Sequence, residues 1–340
     1  MKLARDSRGL SQKDLSLKLG IKQGTLSKIE NEFLSVDKDL IDRIAKILNY
    51  PASFFYQKQD VHLIVGHYRK KISLPQKEVR MHQSKMTIME WQLEKLIDSV
   101  ELPDLDLPKW DCDFDGSPEM CANYIRELWK IPRGRIDNLT KIMEDRGIVV
   151  VLMELGKLDG LSVYSHSGIP MVFVNKFRAG DRHRFNLAHE LGHLVMHFGL
   201  KIPDSRDIED EAYRFASEFL VPSREIKPHL TKVNIEKLAD LKRYWKISMQ
   251  AILVKSHKQL GMLTLNQYHY LWKQMNSLGY RKKEPVYIPI ENPRLIHEIV
   301  DLHLTELEYS KSELSSMLHV SENEFDGMYL NNPNTLRILD

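Results

Sequence analysis

The apolar positions of the amino-terminal segment recur at helical spacing and are interrupted by a glycine. Ser11 is a residue type that caps helices, and Leu15 and Leu19 follow it four residues apart, on one helical face. Gly20 stands where a helix commonly ends in a left-handed conformation. Residues 21–30 then carry an apolar face of their own. The pattern predicts two short helices joined by a glycine turn, which is a helix-turn-helix.

Apolar runs further along the chain predict a small sheet among more helices. Runs rich in β-branched or apolar residues predict strands at 147–153, 161–164 and 171–175. Residues 73–100 alternate apolar and charged positions as a long amphipathic helix does, and we expect this helix to connect or clamp two domains. Residues 226–285 also have a helical pattern. The fold class is therefore expected to be α+β and mostly helical.

A second helix-turn-helix spacing follows near the carboxy terminus, over residues 309–325. Its second helix carries Glu322, Glu324 and Asp326, so it attracts phosphate poorly. We interpret this segment as a packing or protein-recognition module rather than a second reader of DNA.

Composition narrows the class of protein. The chain has 340 residues, of which 42% are hydrophobic and 28% charged, a balance typical of folded globular domains. The longest apolar runs fall far short of the roughly 20 residues that a membrane helix needs, and the amino end has no apolar signal region. Two cysteines cannot build a disulfide framework. These features predict a cytoplasmic protein of several domains with no membrane partner.

The net charge of +2 conceals a basic amino-terminal segment, because residues 1–28 carry seven basic side chains and two acidic ones. This segment can attract a polyanion such as DNA. The second helix of the predicted motif would enter the major groove with its first turn. We expect Gln23 to contact an adenine edge and Lys28 to contact a phosphate. The full set of candidate DNA contacts is Lys22, Gln23, Thr25, Ser27 and Lys28.

The order of these residues resembles a known family of DNA-binding domains. The segment reads L-S-Q-x-x-L-x-x-x-L-G-I-x-x-x-x-L-S-x-I-E, and over about residues 1–57 it is similar to the lambda-repressor-like (XRE) helix-turn-helix family. In that family the first helix usually starts several residues earlier, so the chain as given is expected to begin inside it. The resemblance implies DNA binding and leaves a homodimer open. The alternative is a small helical bundle whose charges are only solvated.

The strongest chemical signal is the segment H-E-L-G-H. His189 and His193 lie four residues apart on one helical face, where both imidazoles can reach one zinc ion. Glu190 lies next to the first histidine, where it can act on a water molecule instead of binding the metal. In this H-E-x-x-H arrangement zinc lowers the pKa of water to about 7 and the glutamate takes its proton. The alternative is a helix with structural histidines.

A catalytic zinc has three protein ligands and one open position, so a third ligand is expected downstream. Glu209 shares a helical face with small and apolar residues that would pack against the zinc helix, and it is the preferred third ligand. Glu211 is the weaker candidate. His197 lies one turn beyond His193 and is expected to support or pack against the site rather than to bind the same ion.

These features resemble a family of metallopeptidases. Residues 117–225 are similar to the ImmA/IrrE family, a gluzincin-like fold, through the segments around Asp159-Gly160, H-E-L-G-H and Glu209. The resemblance implies zinc as the cofactor, His189, His193 and Glu209 as its ligands and Glu190 as general base, with no organic cofactor assigned. It also implies cleavage of a helix-turn-helix repressor that silences stress-response or mobile-element genes. Tyr213 departs from the family, in which asparagine is common.

The resulting prediction is a zinc endopeptidase fused to a DNA-binding domain. We predict a helix-turn-helix domain (1–60), a helical connector with an acidic linker (61–116), a metallopeptidase core (117–225) and a helical carboxy-terminal region (226–340). Two other functions remain open. One is a transcriptional regulator whose peptidase-like domain senses a ligand without cleaving, and the other is an antitoxin or interaction protein.

Overall fold

The computed structural model describes residues 1–57 and 75–330. It divides the chain into two units. Unit 1 comprises residues 1–102 together with 294–340, and unit 2 comprises residues 103–293. The boundary predicted at residue 60, the first two residues of the helix predicted over 73–100 and the last ten residues of the chain lie outside the described residues. The four-segment division stays a prediction.

The described residues form sixteen α-helices and three strands, so the α+β, mostly helical class is confirmed. The helices are α1 (Lys2–Ser7), α2 (Gln12–Leu19), α3 (Gln23–Glu30), α4 (Lys38–Leu48), α5 (Gln76–Ile97), α6 (Pro118–Leu128), α7 (Leu139–Glu144), α8 (Gly180–Met196), α9 (Ile208–Leu220), α10 (Ser223–Ile226), α11 (Ile235–Trp245), α12 (Met249–Val254), α13 (Leu265–Ser277), α14 (Leu295–Thr305), α15 (Lys311–Met317) and α16 (Glu322–Phe325). The strands are β1 (Val149–Met153), β2 (Gly160–Tyr164) and β3 (Pro170–Asn175). No helix within the described ranges is long and apolar enough to cross a membrane.

The helix-turn-helix of unit 1 forms as its sequence predicts. Ser11 caps α2, because its side chain accepts a hydrogen bond from the backbone N–H of Asp14 while the Asp14 carboxylate accepts one from the Ser11 backbone. Gly20 ends α2 with φ of 69°, a left-handed conformation that suits glycine. Leu15 and Leu26 are fully buried between the helices. Local capping and apolar spacing therefore account for this motif.

Glu30 ties the end of α3 to the two preceding helices. Its carboxylate accepts two hydrogen bonds from the Arg5 guanidinium, at 2.6 and 2.9 Å, and a third from the Gln12 amide at 2.8 Å. Burial opposes ionisation here, yet the bonds from Arg5 and Gln12 hold the pKa of Glu30 below its ordinary value of 4.5. This cluster fixes the orientation of α3, the helix that carries the candidate DNA contacts.

Replacing Glu30 by alanine is expected to destabilise unit 1 by about 3 kcal/mol, because it leaves a buried guanidinium without its main partner. Since the folded carboxylate has the lower pKa, its contribution is present above pH 4.5 and is lost as the pH falls through the folded pKa. Amide hydrogen exchange of α1 to α3 measures both effects. The exposed Asp42→Ala variant of α4 is the control, and equal exchange in the two variants would contradict the expectation.

The last helices of unit 1 pack against α5. The amide of Gln92 donates a hydrogen bond to the carbonyl oxygen of Leu318 at 3.1 Å and accepts one from the Tyr329 hydroxyl at 3.0 Å. The ring of His319 stacks on Trp91 with a centroid separation of 5.5 Å. Helices α15 and α16 confirm the helix-turn-helix spacing predicted over 309–325. The packing or recognition role of that segment stays a prediction.

Unit 2 is built around a three-stranded sheet with α8 beside it. The strand order is β1-β3-β2, with β1 parallel and β2 antiparallel to β3. Helix α8 packs against β2, β3 and α9. Gly192 permits the close approach of α9, because a Cβ there would lie 3.0 Å from the Phe215 ring. Glycine at this position therefore lets the two helices pack closely.

Candidate metal centre and nucleic-acid interface

Two helices bring three candidate metal ligands to one point. Helix α8 presents His189 and His193 from successive turns, and their Nε2 atoms lie 3.1 Å apart. Helix α9 contributes Glu209, whose carboxylate oxygens lie 3.4 Å from Nε2 of His189 and 3.6 Å from Nε2 of His193. Among the described residues, these three form the group whose donor atoms can hold one metal ion.

The donor set fits a zinc ion. Nitrogen and oxygen ligands lie about 2.0–2.1 Å from zinc, so two ligands of a tetrahedral site are separated by about 3.3–3.4 Å. The distances of 3.1, 3.4 and 3.6 Å bracket that value. His193 is buried, and the other two residues are half-buried, so the group is reachable from one side. Three donors leave the fourth position of a tetrahedral site for water or substrate.

Glu190 lies next to His189 on the same helix and is directed to strand β2. The Ser162 hydroxyl donates a hydrogen bond to its Oε2 atom at 2.8 Å. Burial raises the pKa of Glu190 above its ordinary value, while His189 and the Ser162 bond oppose that shift. Gly160 leaves room for the side chain, because a Cβ there would lie 3.4 Å from Glu190 Oε1. Glu190 is thus a buried carboxylate held beside the three donors.

Glu211 lies outside the three-donor group, so the geometry favours Glu209 as third ligand. The Glu211 carboxylate contacts Nε2 of His197 at 3.0 Å, and Nδ1 of His197 lies 2.8 Å from Nδ1 of His193. His197 therefore contacts a candidate ligand from behind, as expected for a supporting residue. The roles of all these side chains stay predictions.

Sequence reasoning missed Ser162 and Arg206. Ser162 left one local signal, a hydroxyl inside a predicted strand whose neighbours are apolar. Arg206 left none, because it lies in the loop before α9 and reaches Glu211 only in the folded chain. Tyr213, which departs from the family resemblance, packs on Phe185 with a ring separation of 5.1 Å, and burial raises its pKa to about 12.

The five candidate DNA contacts lie at the start of α3 and along its length. Lys22 precedes the helix as its N-cap, and Lys22, Gln23 and Lys28 are exposed. Thr25 and Ser27 are half-buried. Gly24 lies among them, and a Cβ there would meet no atom of the described residues within 4 Å, so the backbone at this turn is open. The contacts of these side chains with DNA stay predictions.

Comparison with known families finds separate matches for the segment with the candidate DNA contacts and for the segment with the candidate metal ligands. Residues 1–55 match the family described as Helix-turn-helix. Residues 143–257 match the peptidase family described as IrrE N-terminal-like domain. The matched range contains β1 to β3, α8 and α9. No curated protein matches the chain. These two matches agree with the fusion that the sequence predicted.

Proposed function

We propose that this chain is a zinc-dependent endopeptidase and DNA-binding regulator in the cytoplasm. Its substrate would be a helix-turn-helix transcriptional repressor, and cleavage would induce stress-response or mobile-element genes. The observation that carries the proposal is the convergence of His189, His193 and Glu209 on one point, with Glu190 held beside them. The helix-turn-helix domain at the amino-terminal end would supply the link to DNA.

The chemistry follows from the placement of the side chains. When bound, zinc polarises a peptide carbonyl and makes water more acidic. Glu190 takes the proton of the attacking water and passes it to the leaving amine. The hydrogen bond from Ser162 to Oε2 holds the Glu190 carboxylate in place for this transfer. His189, His193 and Glu209 would hold the ion.

Strand β2 offers a place for the substrate. It is the last strand in the sheet order β1-β3-β2, so it lies at an edge of the sheet, and it packs beside α8. An extended peptide can add to such an edge by backbone hydrogen bonding. A peptide added there would run beside the strand that carries Ser162, the residue that contacts Glu190. This arrangement suits a peptide bond in an extended segment.

Zinc dependence of cleavage tests the proposal. The full chain is stripped of metal, reloaded with one equivalent of zinc and incubated with a mixture of helix-turn-helix repressors, and mass spectrometry detects new peptide termini. We expect a small set of new termini with the zinc-loaded protein and none with the metal-free protein. A zinc-loaded protein that yields no new termini while it binds its own promoter would favour the non-proteolytic sensor. A stable stoichiometric complex with an uncut repressor would favour the interaction protein.

Substitutions in α3 test the DNA-binding half of the proposal. Lys28→Ala is expected to weaken binding to all sequences about equally and to lower the salt slope of log K by about 1, because a phosphate contact carries no sequence information. Gln23→Ala is expected to cost about 1–3 kcal/mol at one position of the operator and to relax its specificity. Operator selection followed by titration at several salt concentrations measures both. Lys46→Ala, on α4, is the control.

If the Lys28→Ala and Lys46→Ala proteins showed the same salt slope, the assignment of Lys28 to phosphate would be wrong.

A further inference from the structure

A continuous line of hydrogen bonds leads away from the candidate metal centre on the side opposite to Glu209. Nε2 of His193 faces His189 and Glu209, and its Nδ1 lies 2.8 Å from Nδ1 of His197. Nε2 of His197 lies 3.0 Å from the Glu211 carboxylate. Both rings are buried, so these hydrogen bonds are not replaced by bulk water. Two histidines thus separate the metal position from a carboxylate.

One proton arrangement satisfies every atom of this line. A histidine that binds a cation through Nε2 carries its proton on Nδ1. His193 then donates from Nδ1 to the lone pair of Nδ1 on His197. His197 in turn carries its proton on Nε2 and donates it to a carboxylate oxygen of Glu211, which also accepts a hydrogen bond from Arg206. The direction of donation is therefore set by the acceptor at the end of the line, a carboxylate paired with an arginine.

Arg206 holds the Glu211 carboxylate in place. Its Nε and Nη2 atoms donate to the two Glu211 oxygens at 2.9 and 2.7 Å, a bidentate pair. Its Nη1 atom donates to Asp111 at 3.1 Å and to Asp113 at 3.3 Å. The segment that carries these two aspartates is itself bound to α8, because the backbone N–H of Trp110 donates a hydrogen bond to the Val195 carbonyl oxygen at 3.0 Å. The line of hydrogen bonds thus ends at an ion-pair cluster. Three parts of unit 2 form this cluster: the loop that carries Arg206, helix α9 and the segment at residues 110–113.

We propose that Arg206, Glu211 and His197 are positioning residues that orient His193 for metal binding from outside the ligand set. This inference rests on the proposed function, since it needs a metal at His189, His193 and Glu209. The line of hydrogen bonds fixes the tautomer of His193 and the orientation of its ring. It also makes Nε2 a stronger electron-pair donor to the metal. Partners of this kind typically change metal affinity tenfold to a hundredfold. The weaker candidate for third ligand, Glu211, thereby has a different task.

Metal affinity of variants of the full chain tests the inference without any substrate. Zinc dissociation constants are measured by competition with a chromophoric chelator, and the visible absorption of the cobalt-loaded protein reports the geometry around the ion. His197→Phe keeps a ring of similar size but removes both nitrogens, and it is expected to raise the zinc dissociation constant about tenfold to a hundredfold. Arg206→Gln is expected to raise it about tenfold. Both variants should alter the cobalt spectrum.

Arg214→Gln is the matched control. Arg214 lies on α9 and makes a bidentate pair with Glu119 at 2.7 Å, so its loss removes a similar ion pair from the same helix without touching the line. Thermal unfolding of the metal-free proteins checks that each variant folds. Arg206 lies in a loop, so Arg206→Gln remains informative if His197→Phe fails to fold. Arg206→Lys, which keeps one charged donor, should recover part of the affinity.

The outcomes separate this inference from the proposed function. Weaker zinc binding and an altered cobalt spectrum in the two variants, with Arg214→Gln like wild type, support the positioning role. Wild-type affinity and spectrum in Arg206→Gln would overturn it and leave the metal site intact. Failure of the wild-type protein to hold zinc tightly would overturn both.

Discussion

Replacing Glu190 by glutamine is expected to leave zinc binding at about one ion per chain and to lower peptide cleavage by about 10²–10⁴-fold, the usual contribution of a general base. Glutamine has the same shape, and its carbonyl oxygen can still accept the hydrogen bond from Ser162. Its amide cannot take a proton from water. The change therefore removes the proton transfer while it preserves the packing. Cleavage rates with a repressor that yields new termini, together with elemental analysis, measure the two effects.

The matched control is Glu154→Gln, which changes an exposed glutamate of unit 2 in the same way. It should cleave like wild type. A Glu190→Gln protein that cleaves at the wild-type rate would remove Glu190 from the mechanism. A variant that loses both zinc and cleavage would show that Glu190 supports the metal centre and would leave the identity of the base open.

Replacing Glu209 by alanine is expected to lower zinc affinity by more than the tenfold to hundredfold loss typical of partners outside the ligand set. The structure gives Glu209 two close contacts with the histidine nitrogens, and removing it leaves two neutral donors for a doubly charged ion. About one tightly held zinc per wild-type chain should fall to a small fraction after dialysis against a weak chelator. Elemental analysis of both proteins measures this difference.

The neighbouring residue offers the control for this loss. Asp210 belongs to the same turn of α9, but its side chain is exposed and lies 3.9 Å from Arg214. Asp210→Asn should retain zinc. Equal retention by Glu209→Ala would mean that another residue supplies the third donor, and Glu211→Ala would then be measured in its place.

The elements that sequence predicted well are those set by local chemistry. The cap at Ser11, the left-handed Gly20 and the four-residue spacing of His189 and His193 depend on neighbours within one or two turns. The strands followed from short apolar runs, and each begins or ends within two residues of its predicted range. The position of Glu209 on the inner face of α9 followed from the same helical periodicity.

The parts that sequence could not predict depend on contacts between distant segments. Arg206 reaches Asp111 and Asp113, which precede it by more than ninety residues, and no local pattern pairs them. Ser162 meets Glu190 only because β2 packs beside α8. A preference for Glu209 over Glu211 could be argued from helix faces, but the partner of Glu211 could not. Tertiary packing decides such pairs.

The discontinuity of unit 1 has a consequence for the order in which the protein is made. Part of the packing on α5 comes from helices that follow residue 293, so a ribosome completes unit 1 only after the whole of unit 2 has emerged. At about 5–20 residues per second, translation of the intervening stretch of about 190 residues takes roughly 10–40 s. During that interval the surface of α5 around Trp91 and Gln92 lacks the segment that covers it. The peptidase domain is therefore finished first, and the DNA-binding unit reaches its full set of contacts last.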